Sequence, residues 1–412
     1  MRQRNLVTLF GRVGLAGLLV RMVLIPFTLH IDPQFGSDIF AINRNAYYFV
    51  RGIPRDVQMV YPPLFLFSMA LFQIVVWPLL PATFREALLI PGFHLELFQS
   101  IYISRFLALS KSLYLLFDLL AVYWMARPWR NDLHKPRAWL WFWALNPLIL
   151  YGTYLHGQFD VIPLLFVVLG LYAASQKKLL WASIWLGLGA CSKGFPLMFL
   201  FPAAVILARD WCERFKLLLI GTTPYVLLSV LFLRYYQAGI GDYSNYYFKV
   251  GYDLGFGAQV YIFFIFYAAL LWYLHHRKAH TFEDFWRACF AILLVYYQFS
   301  YFDLHYWAWI VPFAAIYWVE YPQQAKPFYL VIGLCLLVLL TPTPLGRFLA
   351  PISPRFFLRL PSLLEVLNSY LPMLFIVNVV RSLMAGTCFY LAWRLLRDMP
   401  ASRSDMLQAV PA

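Results

Sequence analysis

Three polar side chains lie close together in the stretch YGTYLHGQFDVIPLL (151–165), whose flanks are almost purely apolar. They are His156, Gln158 and Asp160, at every second position. An imidazole, an amide and a carboxylate in this arrangement can bind a polar ligand or move a proton, and polar groups in membrane segments usually serve a function because their burial is costly. A simpler alternative is that Gln158 and Asp160 cap the helix that begins near Val161, which does not exclude binding.

The composition places these side chains in a membrane protein. Of the 412 residues, 62% are hydrophobic and 13% are charged, and the mean hydropathy is +0.66. A soluble domain of this size needs a far more charged surface. Apolar runs of about 17–25 residues, long enough to cross a bilayer as helices, recur along the chain. We therefore expect an all-α polytopic membrane protein, with the basic and then apolar N-terminus retained as its first helix.

The net charge of +14 also fits a nucleic-acid-binding protein. The basic residues are, however, spread over the loops between apolar segments, so membrane topology and anionic lipid explain them better. We expect membrane lipids and no nucleic acid as partners. The five cysteines stand singly, without metal or redox spacing, which predicts neither disulfides nor a cysteine-bound metal.

Short basic loops define the predicted orientation. Loops 127–137, 176–178, 209–216 and 275–278 are rich in Lys and Arg, and the positive-inside rule puts them on the cytoplasmic side. About twelve spans (11–14) with both termini inside then follow. The predicted spans are 6–28, 101–125, 138–155, 158–175, 179–193, 195–209, 216–234, 258–275, 286–301, 305–321, 327–343 and 371–394.

The segment 61–98 does not fit a single span, because one crossing would move the basic loop 127–137 to the outside. It is predicted to be a membrane-embedded hairpin, a set of helices at the outer interface, or two further spans. The chain is expected to form one domain, 1–412, with a long first extracytoplasmic loop that carries membrane-associated helices (29–100). Two further outer loops are predicted, 234–257 and 344–370.

In this topology several polar residues converge on the outer side. Asp38 lies in the first outer loop, the turn with Asp160 lies in the next, and Lys193 and the pair Asp303 and His305 lie in later ones. Each has an alternative reading: a helix cap or loop residue for Asp38, a snorkelling lysine for Lys193, and a hydrogen-bonded interfacial histidine for His305.

The outer segments also carry cations, among them Arg55, and Arg105 is predicted near the outer end of its span. An excess of cations on this side suggests an anionic ligand, with lipid headgroups as an equal alternative. In the same span Lys111 and Asp118 are seven residues apart and share a helix face. We expect Asp118 to pair with a buried cation, for which Arg381 is a candidate.

The outer polar residues fit one kind of chemistry. A carboxylate at the membrane surface can act as a general base on a hydroxyl, and nearby Lys and Arg can stabilise a phosphate leaving group. The sequence contains no P-loop, no GxGxxG strand-turn-helix, no HExxH and no nucleophile elbow. The cytoplasmic loops are also too short to bind a nucleotide sugar, so a soluble nucleotide donor is not expected.

Three motifs follow one another between residues 146 and 203. They are Asn146-Pro147, Gly157-Gln158-Phe159-Asp160 and Lys193-Gly194-Phe195-Pro196. This order of NP, GQ-x-D and K-x-x-P resembles the GT-C integral membrane glycosyltransferases, in particular bacterial and archaeal proteins similar to the GPI-anchor mannosyltransferases. Looser similarities to this family are Asp38 after the first helix, Tyr61-Pro62-Pro63-Leu64 before an apolar run, and Lys111 and Asp118 on the following helix.

The resemblance implies a GT-C fold and an enzyme of the inner or plasma membrane. Such an enzyme transfers a sugar from a polyprenyl-phosphate donor, for example polyprenyl-phosphate mannose, to an extracytoplasmic glycan or glycolipid acceptor, with inversion at the anomeric carbon. It implies Asp38 as the catalytic base and neither a metal nor a cofactor. Lys193, with Arg105 or Arg55, is expected to hold the donor phosphate. Further residues expected in the donor and sugar site are Tyr61, His156, Gln158, Asp160, Asp303 and His305.

Two other functions stay open. A transporter or lipid flippase would place Lys111 and Asp118 on a substrate or proton path, although the sequence shows no convincing internal repeat of the kind found in transporters. The third possibility is a non-catalytic GT-C-like subunit. FDLHYWAWIVPF (302–313) is similar to the family's HERY-like or HY-containing turn but lacks the Glu-Arg pair, which leaves a specific role for His305 open.

Overall fold

The computed structural model describes residues 2–29, 37–53, 61–90, 100–127, 140, 142–232, 251–255, 258–277, 280–300, 303–342 and 345–397. This part of the chain is predominantly α-helical. Its α-helices are α1 (Arg2–Phe27), α2 (Asp38–Val50), α3 (Pro63–Val76), α4 (Ala82–Leu89), α5 (Ile103–Ala126), α6 (Pro147–Ile149), α7 (Val161–Ser175), α8 (Leu179–Ala190), α9 (Leu197–Leu207), α10 (Trp211–Leu231), α11 (Ile262–His276), α12 (Phe282–Phe299), α13 (Val311–Glu320), α14 (Pro322–Leu339), α15 (Pro354–Phe357), α16 (Leu363–Leu367) and α17 (Met373–Arg397). Between them lie the 3-10 helices Trp77–Leu79, Leu304–Ile310 and Leu345–Leu349, the π-helix Leu150–Leu155, and the antiparallel strands β1 (Gly251–Gly255) and β2 (Ala258–Tyr261).

Four helices of the described chain, α5, α10, α14 and α17, are long and apolar enough to cross a membrane, and six shorter helical segments are also apolar. Large apolar side chains stand exposed on the outer helices, such as Leu227 and Val230 on α10 and Leu374 and Phe375 on α17. Contiguous exposed apolar faces of this kind suit lipid better than water. The all-α prediction is confirmed, and these helices support a membrane protein.

The predicted span 138–155 is wrong as one continuous helix. Residues 142–144 are helical, the chain turns at Leu145, and a new helix starts at Pro147. Proline lacks the N–H that helix continuation needs but suits a first helical turn. The side chain of Asn146 caps this new start by accepting hydrogen bonds from the backbone N–H groups of Leu148 and Ile149 at 2.9 and 3.4 Å. The NP motif is therefore a helix break that leads into the π-helix.

Two other predicted spans also differ from the helices in the structure near their ends. The predicted span 258–275 begins only at Ile262, because 258–261 form strand β2. The predicted span 305–321 is divided into the 3-10 helix Leu304–Ile310 and α13. Helical periodicity in the sequence does not distinguish an α-helical turn from a 3-10 turn or a short strand.

The predicted outer loops have structure of their own where they are described. The first loop contains α2, α3 and α4, so the segment beginning at Tyr61 is a pair of helices joined by the 3-10 turn and Pro81. The loop 344–370 contains the 3-10 helix Leu345–Leu349, α15 and α16, and most of 234–257 lies outside the described residues.

In the helical hairpin α7–α8, α7 lies inside the fold, whereas Leu180 and Trp181 on α8 are exposed. All but three of the α7 side chains are buried, and α7 packs on α5 while α8 packs on α10. The α8–α10 contact is backbone against backbone at Gly187, where an added Cβ would come within 2.1 Å of the carbonyl oxygen of Gly221. The packing of α7 and α8 positions the start of α7, which follows the turn with Asp160. It also positions the end of α8, which precedes the turn with Lys193.

A buried polar network joins α1, α5 and the π-helix. The carboxylate of Asp118 on α5 accepts hydrogen bonds from the guanidinium of Arg21 at 2.6 Å, the indole of Trp143 at 2.6 Å and the hydroxyl of Tyr154 at 2.7 Å. The expected buried cation partner of Asp118 thus exists, but it is Arg21 and not Arg381, whose side chain is exposed. The partner of Asp118 depends on the packing of α1 against α5. The periodicity of α5 in the sequence gives no information about that packing.

Lys111 lies two helical turns before Asp118 on the same face of α5 and is also hydrogen-bonded into the fold. Its ammonium donates to the backbone carbonyls of Thr28 and Tyr154, the latter at 2.5 Å. Because Tyr154 contributes its hydroxyl to Asp118 and its carbonyl to Lys111, both buried charges meet at one π-helical residue. The network therefore holds the π-helix against α1 and α5.

Asp118→Asn is expected to lower the free energy of unfolding by about 1.5–3 kcal/mol, the usual value of hydrogen bonds to a charged group. The amide keeps the shape of the carboxylate but leaves the buried guanidinium of Arg21 without a counter-charge. The midpoint of thermal unfolding of the purified protein measures the effect. Glu86→Gln, at an exposed carboxylate on α4, is the control and should leave the midpoint unchanged; an equal midpoint for both variants would contradict the role of the network.

Candidate functional site

The turn 156–160 sends its three polar side chains to three different partners. The imidazole of His156 packs against that of His305, with ring centroids 4.7 Å apart and the ring planes tilted by 30°. The amide of Gln158 donates to the carboxylate of Asp38. The carboxylate of Asp160 pairs with the ammonium of Lys193 at 2.6 Å. One short turn therefore brings together four segments that are distant in the sequence.

The backbone of this turn has requirements of its own. The π-helix leads into it, and the N–H of Gln158 donates to the carbonyl of Gly152 at 2.9 Å. A π-helical turn is rare and frequently occurs at functional sites. Gly157 has a φ of +87°, a conformation that side chains with a Cβ rarely adopt. The Gly in the GQ-x-D motif is thus required to reverse the chain between His156 and Gln158.

Gly157→Ala is expected to destabilise the turn by about 1–2 kcal/mol, the cost of a left-handed conformation for a residue with a Cβ. The added Cβ would also lie 3.3 Å from a methyl group of Leu29 and so press on the chain beyond α1. The thermal unfolding midpoint should fall, and proteolysis should cleave the variant faster. Gly194→Ala is the matched control, because no heavy atom lies within 4 Å of the position of its added Cβ; equal effects of the two substitutions would contradict this account.

Asp38 stands at the first position of α2, directly after the N-cap residue Ser37. Its side chain is exposed, whereas its partner Gln158 is only 1% exposed. The helix N-terminus favours a negative charge, and the amide of Gln158 fixes one carboxylate oxygen. Asp38 is therefore an oriented carboxylate that a ligand can reach, which the alternative of a plain helix cap does not explain.

Asp160 and Lys193 form a buried ion pair. Their side chains are 0% and 3% exposed, and the indole of Trp309 donates to the same carboxylate oxygen at 2.8 Å. Asp160 occupies the N-cap position of α7 but its side chain makes no capping hydrogen bond. The capping interpretation of Asp160 and the snorkelling interpretation of Lys193 are both wrong, because each side chain pairs with the other inside the protein.

An aromatic cage encloses the ammonium of Lys193. Its Nζ lies 4.9 to 5.3 Å from the ring centroids of Tyr61, Phe159, Tyr306 and Trp309. Cation–π contacts of this kind become stronger when water is excluded. The charge of Lys193 is thus balanced within the protein by Asp160 and four rings, so an anionic ligand would have to share it with Asp160.

The YPPL segment completes the cage. Pro63 is the first residue of α3, and the N–H of Leu64 donates to the carbonyl of Cys191 at the end of α8 at 2.9 Å. This backbone contact holds Tyr61 over Lys193. The YPPL segment therefore makes a docking contact with the turn that carries Lys193.

Several buried polar atoms around the ion pair have no hydrogen-bond partner among the residues that the structure describes. They are the second carboxylate oxygen of Asp160, Oε1 of Gln158, Oγ of Ser192 and the hydroxyl of Tyr114. Tyr114 lies on the buried face of α5, near the carboxylates of Asp38 and Asp160. Since buried polar groups are normally satisfied, these atoms are suited to bind the hydroxyls of a polar ligand.

A second cluster lies beside the first. The imidazole Nδ1 of His305 is 2.8 Å from a carboxylate oxygen of Asp303, and His156 packs against His305. Burial by itself raises the pKa of the Asp303 carboxyl, but the imidazoles of His305 and His156 lower it by more, so its pKa lies well below the usual range. Asp303 is therefore an anion held between two histidines.

No family model matches the chain, and no curated protein or solved structure matches it either.

Two of the expected site residues are not part of these clusters. Arg105 is exposed on the first turns of α5 and makes no hydrogen bond or ion pair with any residue described. Arg55 lies outside the described residues. The structure brings together the other eight: Asp38, Tyr61, His156, Gln158, Asp160, Lys193, Asp303 and His305.

Sequence reasoning missed the residues that surround the ion pair. Tyr114 lies between Lys111 and Asp118 on the same helix face, so the spacing of these two residues could have identified it as buried. Tyr306 and Trp309 belong to the aromatic run after His305, but their convergence on Lys193 depends on the 3-10 geometry of that segment. Aromatic residues are common in membrane segments, and no signal in the sequence distinguishes a cage from lipid contacts.

Proposed function

We propose that the protein is a glycosyltransferase with about twelve membrane spans and a GT-C fold. It transfers a sugar from a polyprenyl-phosphate donor to a glycan or glycolipid acceptor on the extracytoplasmic side. The resemblance of the NP, GQ-x-D and K-x-x-P motifs supports this proposal. So does the helical, lipid-facing exterior, which suits a donor whose chain lies between helices.

The observation that carries the proposal is the oriented carboxylate of Asp38. It is exposed, it is held by the buried amide of Gln158, and Asp160 nearby has an oxygen without a partner among the described residues. A general base must be accessible to the hydroxyl whose proton it removes. Of the carboxylates in the two clusters, Asp38 meets this condition best, because Asp160 is buried and Asp303 is bound to His305.

The proposed reaction is a single displacement. The carboxylate of Asp38 accepts the proton of the acceptor hydroxyl, and the oxygen attacks the anomeric carbon from the face opposite the phosphate. The bond from that carbon to the phosphate oxygen breaks, and polyprenyl phosphate leaves with the electron pair. The attack inverts the anomeric configuration. The unpartnered oxygens of Asp160 and Gln158 bind sugar hydroxyls, and Lys193 contacts the phosphate while it stays paired with Asp160.

Lys111 and Asp118 do not favour the transporter alternative. Both are bonded into the network that holds the π-helix. A group on a substrate or proton path has to exchange partners, which would break several buried hydrogen bonds at once.

The proposal is tested with the purified protein in sealed lipid vesicles. A panel of polyprenyl-phosphate donors with radiolabelled sugars, starting with mannose, is supplied with a glycolipid extract as the acceptor. The expected result is a labelled acceptor and released polyprenyl phosphate. Movement of the intact donor across the bilayer without any covalent product, for every donor in the panel, would instead show a flippase. Transfer that requires an added membrane fraction would show a subunit that needs a partner.

A further inference from the structure

The residues His156, Asp303 and His305 have a composition typical of a metal site. Each offers one ligand atom, and the three atoms lie within 4.8 Å of one another. Two imidazoles and one carboxylate are the protein ligands of many divalent transition-metal ions, with further positions left for water or substrate. The cluster comes from two turns far apart in the sequence, so the spacing of the residues did not reveal it, and the resemblance had suggested no metal.

Burial supports the same conclusion. His156 and His305 are buried, with 7% and 3% of their surface exposed. Neither ring nitrogen of His305 has a hydrogen-bond partner among the described residues, and its Nδ1, 2.8 Å from a carboxylate oxygen of Asp303, is the nitrogen placed to bind an ion. A buried imidazole nitrogen without a partner is costly, and a bound cation or its water would remove that cost. The neighbouring carboxylate of Asp303 supplies the negative charge that a cation needs.

The two backbone segments that carry His156 and His305 lie close together. Gly152 of the π-helix faces the segment that carries His305, and an added Cβ there would lie 3.3 Å from the carbonyl oxygen of His305. The N–H of His156 donates to the carbonyl of Tyr151 at 2.7 Å, and the N–H of His305 donates to the carboxylate of Asp303 at 3.3 Å. Both turns are thus fixed, and only side-chain rotation has to adjust the ligand atoms.

We propose that His156, Asp303 and His305 bind a divalent transition-metal ion such as Zn²⁺ or Mn²⁺. Metal–ligand bonds of about 2.0–2.2 Å place neighbouring ligand atoms about 3–3.5 Å apart. The present 2.8 Å between Asp303 and His305 and the upper limit of 4.8 Å for the set are close to this spacing. When the ion binds, it lies between the carboxylate of Asp303 and Nδ1 of His305 and replaces their direct contact.

The ion would act in sugar transfer through the donor phosphate, a step that rests on the proposed function. The charge of Lys193 is already balanced by Asp160, so the site has little free positive charge for a leaving phosphate. A metal ion bound to His156, which is two residues before Gln158, the partner of Asp38, supplies positive charge and can bind a phosphate oxygen directly.

Metal binding is tested on the full-length protein without a polyhistidine tag, freed of metal with a chelator and titrated with Co²⁺. We expect one Co²⁺ per chain and a visible absorption band typical of mixed nitrogen and oxygen ligands. His156→Asn and His305→Asn should each weaken binding by more than about 100-fold, since loss of even an outer partner of a ligand costs about 10–100-fold. The control, His275→Asn with His276→Asn, removes two exposed histidines on α11 and should bind as the wild type does.

X-ray absorption of the Zn²⁺-loaded wild type gives a second measurement that does not depend on the folding of any variant. Two imidazole ligands are expected. The proposal is overturned if the wild type binds no Co²⁺, if the His156→Asn variant binds it unchanged, or if the spectrum shows no imidazole. These measurements use no sugar donor, so their failure is distinct from a failure of the proposed function.

The role of the ion is tested separately by binding of a short-chain polyprenyl phosphate to the wild type with and without Zn²⁺. Tighter binding by a factor of ten or more, lost in Asp303→Asn, is expected. Equal binding in both conditions would leave the ion without a part in holding the phosphate.

Discussion

Asp38→Asn is expected to lower sugar transfer by about 10²–10⁴-fold, the usual contribution of a general base. The amide oxygen of the variant still accepts the hydrogen bond of Gln158, so the turn and α2 stay in place. It does not accept the proton of the acceptor hydroxyl. The donor should therefore bind as tightly as before, and only the rate constant of transfer should fall. Single-turnover transfer and equilibrium binding of the donor, measured on the same preparation, separate the two effects.

The matched control for Asp38→Asn is Glu86→Gln, which neutralises an exposed carboxylate on α4 in the same outer segment. It should transfer sugar at the wild-type rate, because a change of surface charge alone has little effect. Equal rates for Asp38→Asn and the wild type would show that another group is the base, and Asp160→Asn would then be the next variant.

Lys193→Met is expected to cost about 3–5 kcal/mol of stability, the penalty for breaking a buried ion pair from one side. Methionine fills the aromatic cage of Tyr61, Phe159, Tyr306 and Trp309 at similar volume. It leaves the carboxylate of Asp160 buried at 0% exposure, with the indole of Trp309 as its remaining donor. The unfolding midpoint in denaturant, or the thermal midpoint in lipid, measures the loss.

A second substitution separates charge from packing at this position. Because an apolar pair often replaces a buried ion pair at little cost, Lys193→Met combined with Asp160→Leu should recover most of the lost stability. Sugar transfer should stay low in the double variant, since the oxygens of Asp160 are gone. Lys326→Met, at an exposed lysine on α14, is the control and should change stability by less than about 0.5 kcal/mol. A loss for Lys193→Met no larger than that of the control would contradict the buried pair.

The convergence of the site was largely predictable from the sequence. The predicted alternation of cytoplasmic and outer loops placed Asp38, the turn with Asp160, and Lys193 on one side before any distance was known, and the structure brings these segments into contact. What made this possible is a simple constraint: polar residues in a membrane segment have to meet one another or a ligand.

The pairings within the site were not predictable. The position of Asp160 at the start of a helix suggests an N-cap residue. Only its distance to Lys193 in the structure shows that it is an ion-pair partner. Arg21 pairs with Asp118 across 97 positions of the chain, and His156 and His305, which pack against each other, come from separate turns. Each of these contacts depends on how helices pack, and a local pattern contains no information on side-chain partners from distant segments.

The most direct test of the account is a single-turnover assay with a donor that carries a radiolabelled sugar. Wild type and Asp38→Asn are reconstituted in equal amounts, the labelled acceptor is counted, and the released, unlabelled polyprenyl phosphate is quantified by mass spectrometry. The account predicts equal amounts of both products for the wild type, and an intact donor bound to Asp38→Asn. An intact donor with the wild type for every sugar tested, or equal turnover by both proteins, would contradict a transferase site built around Asp38.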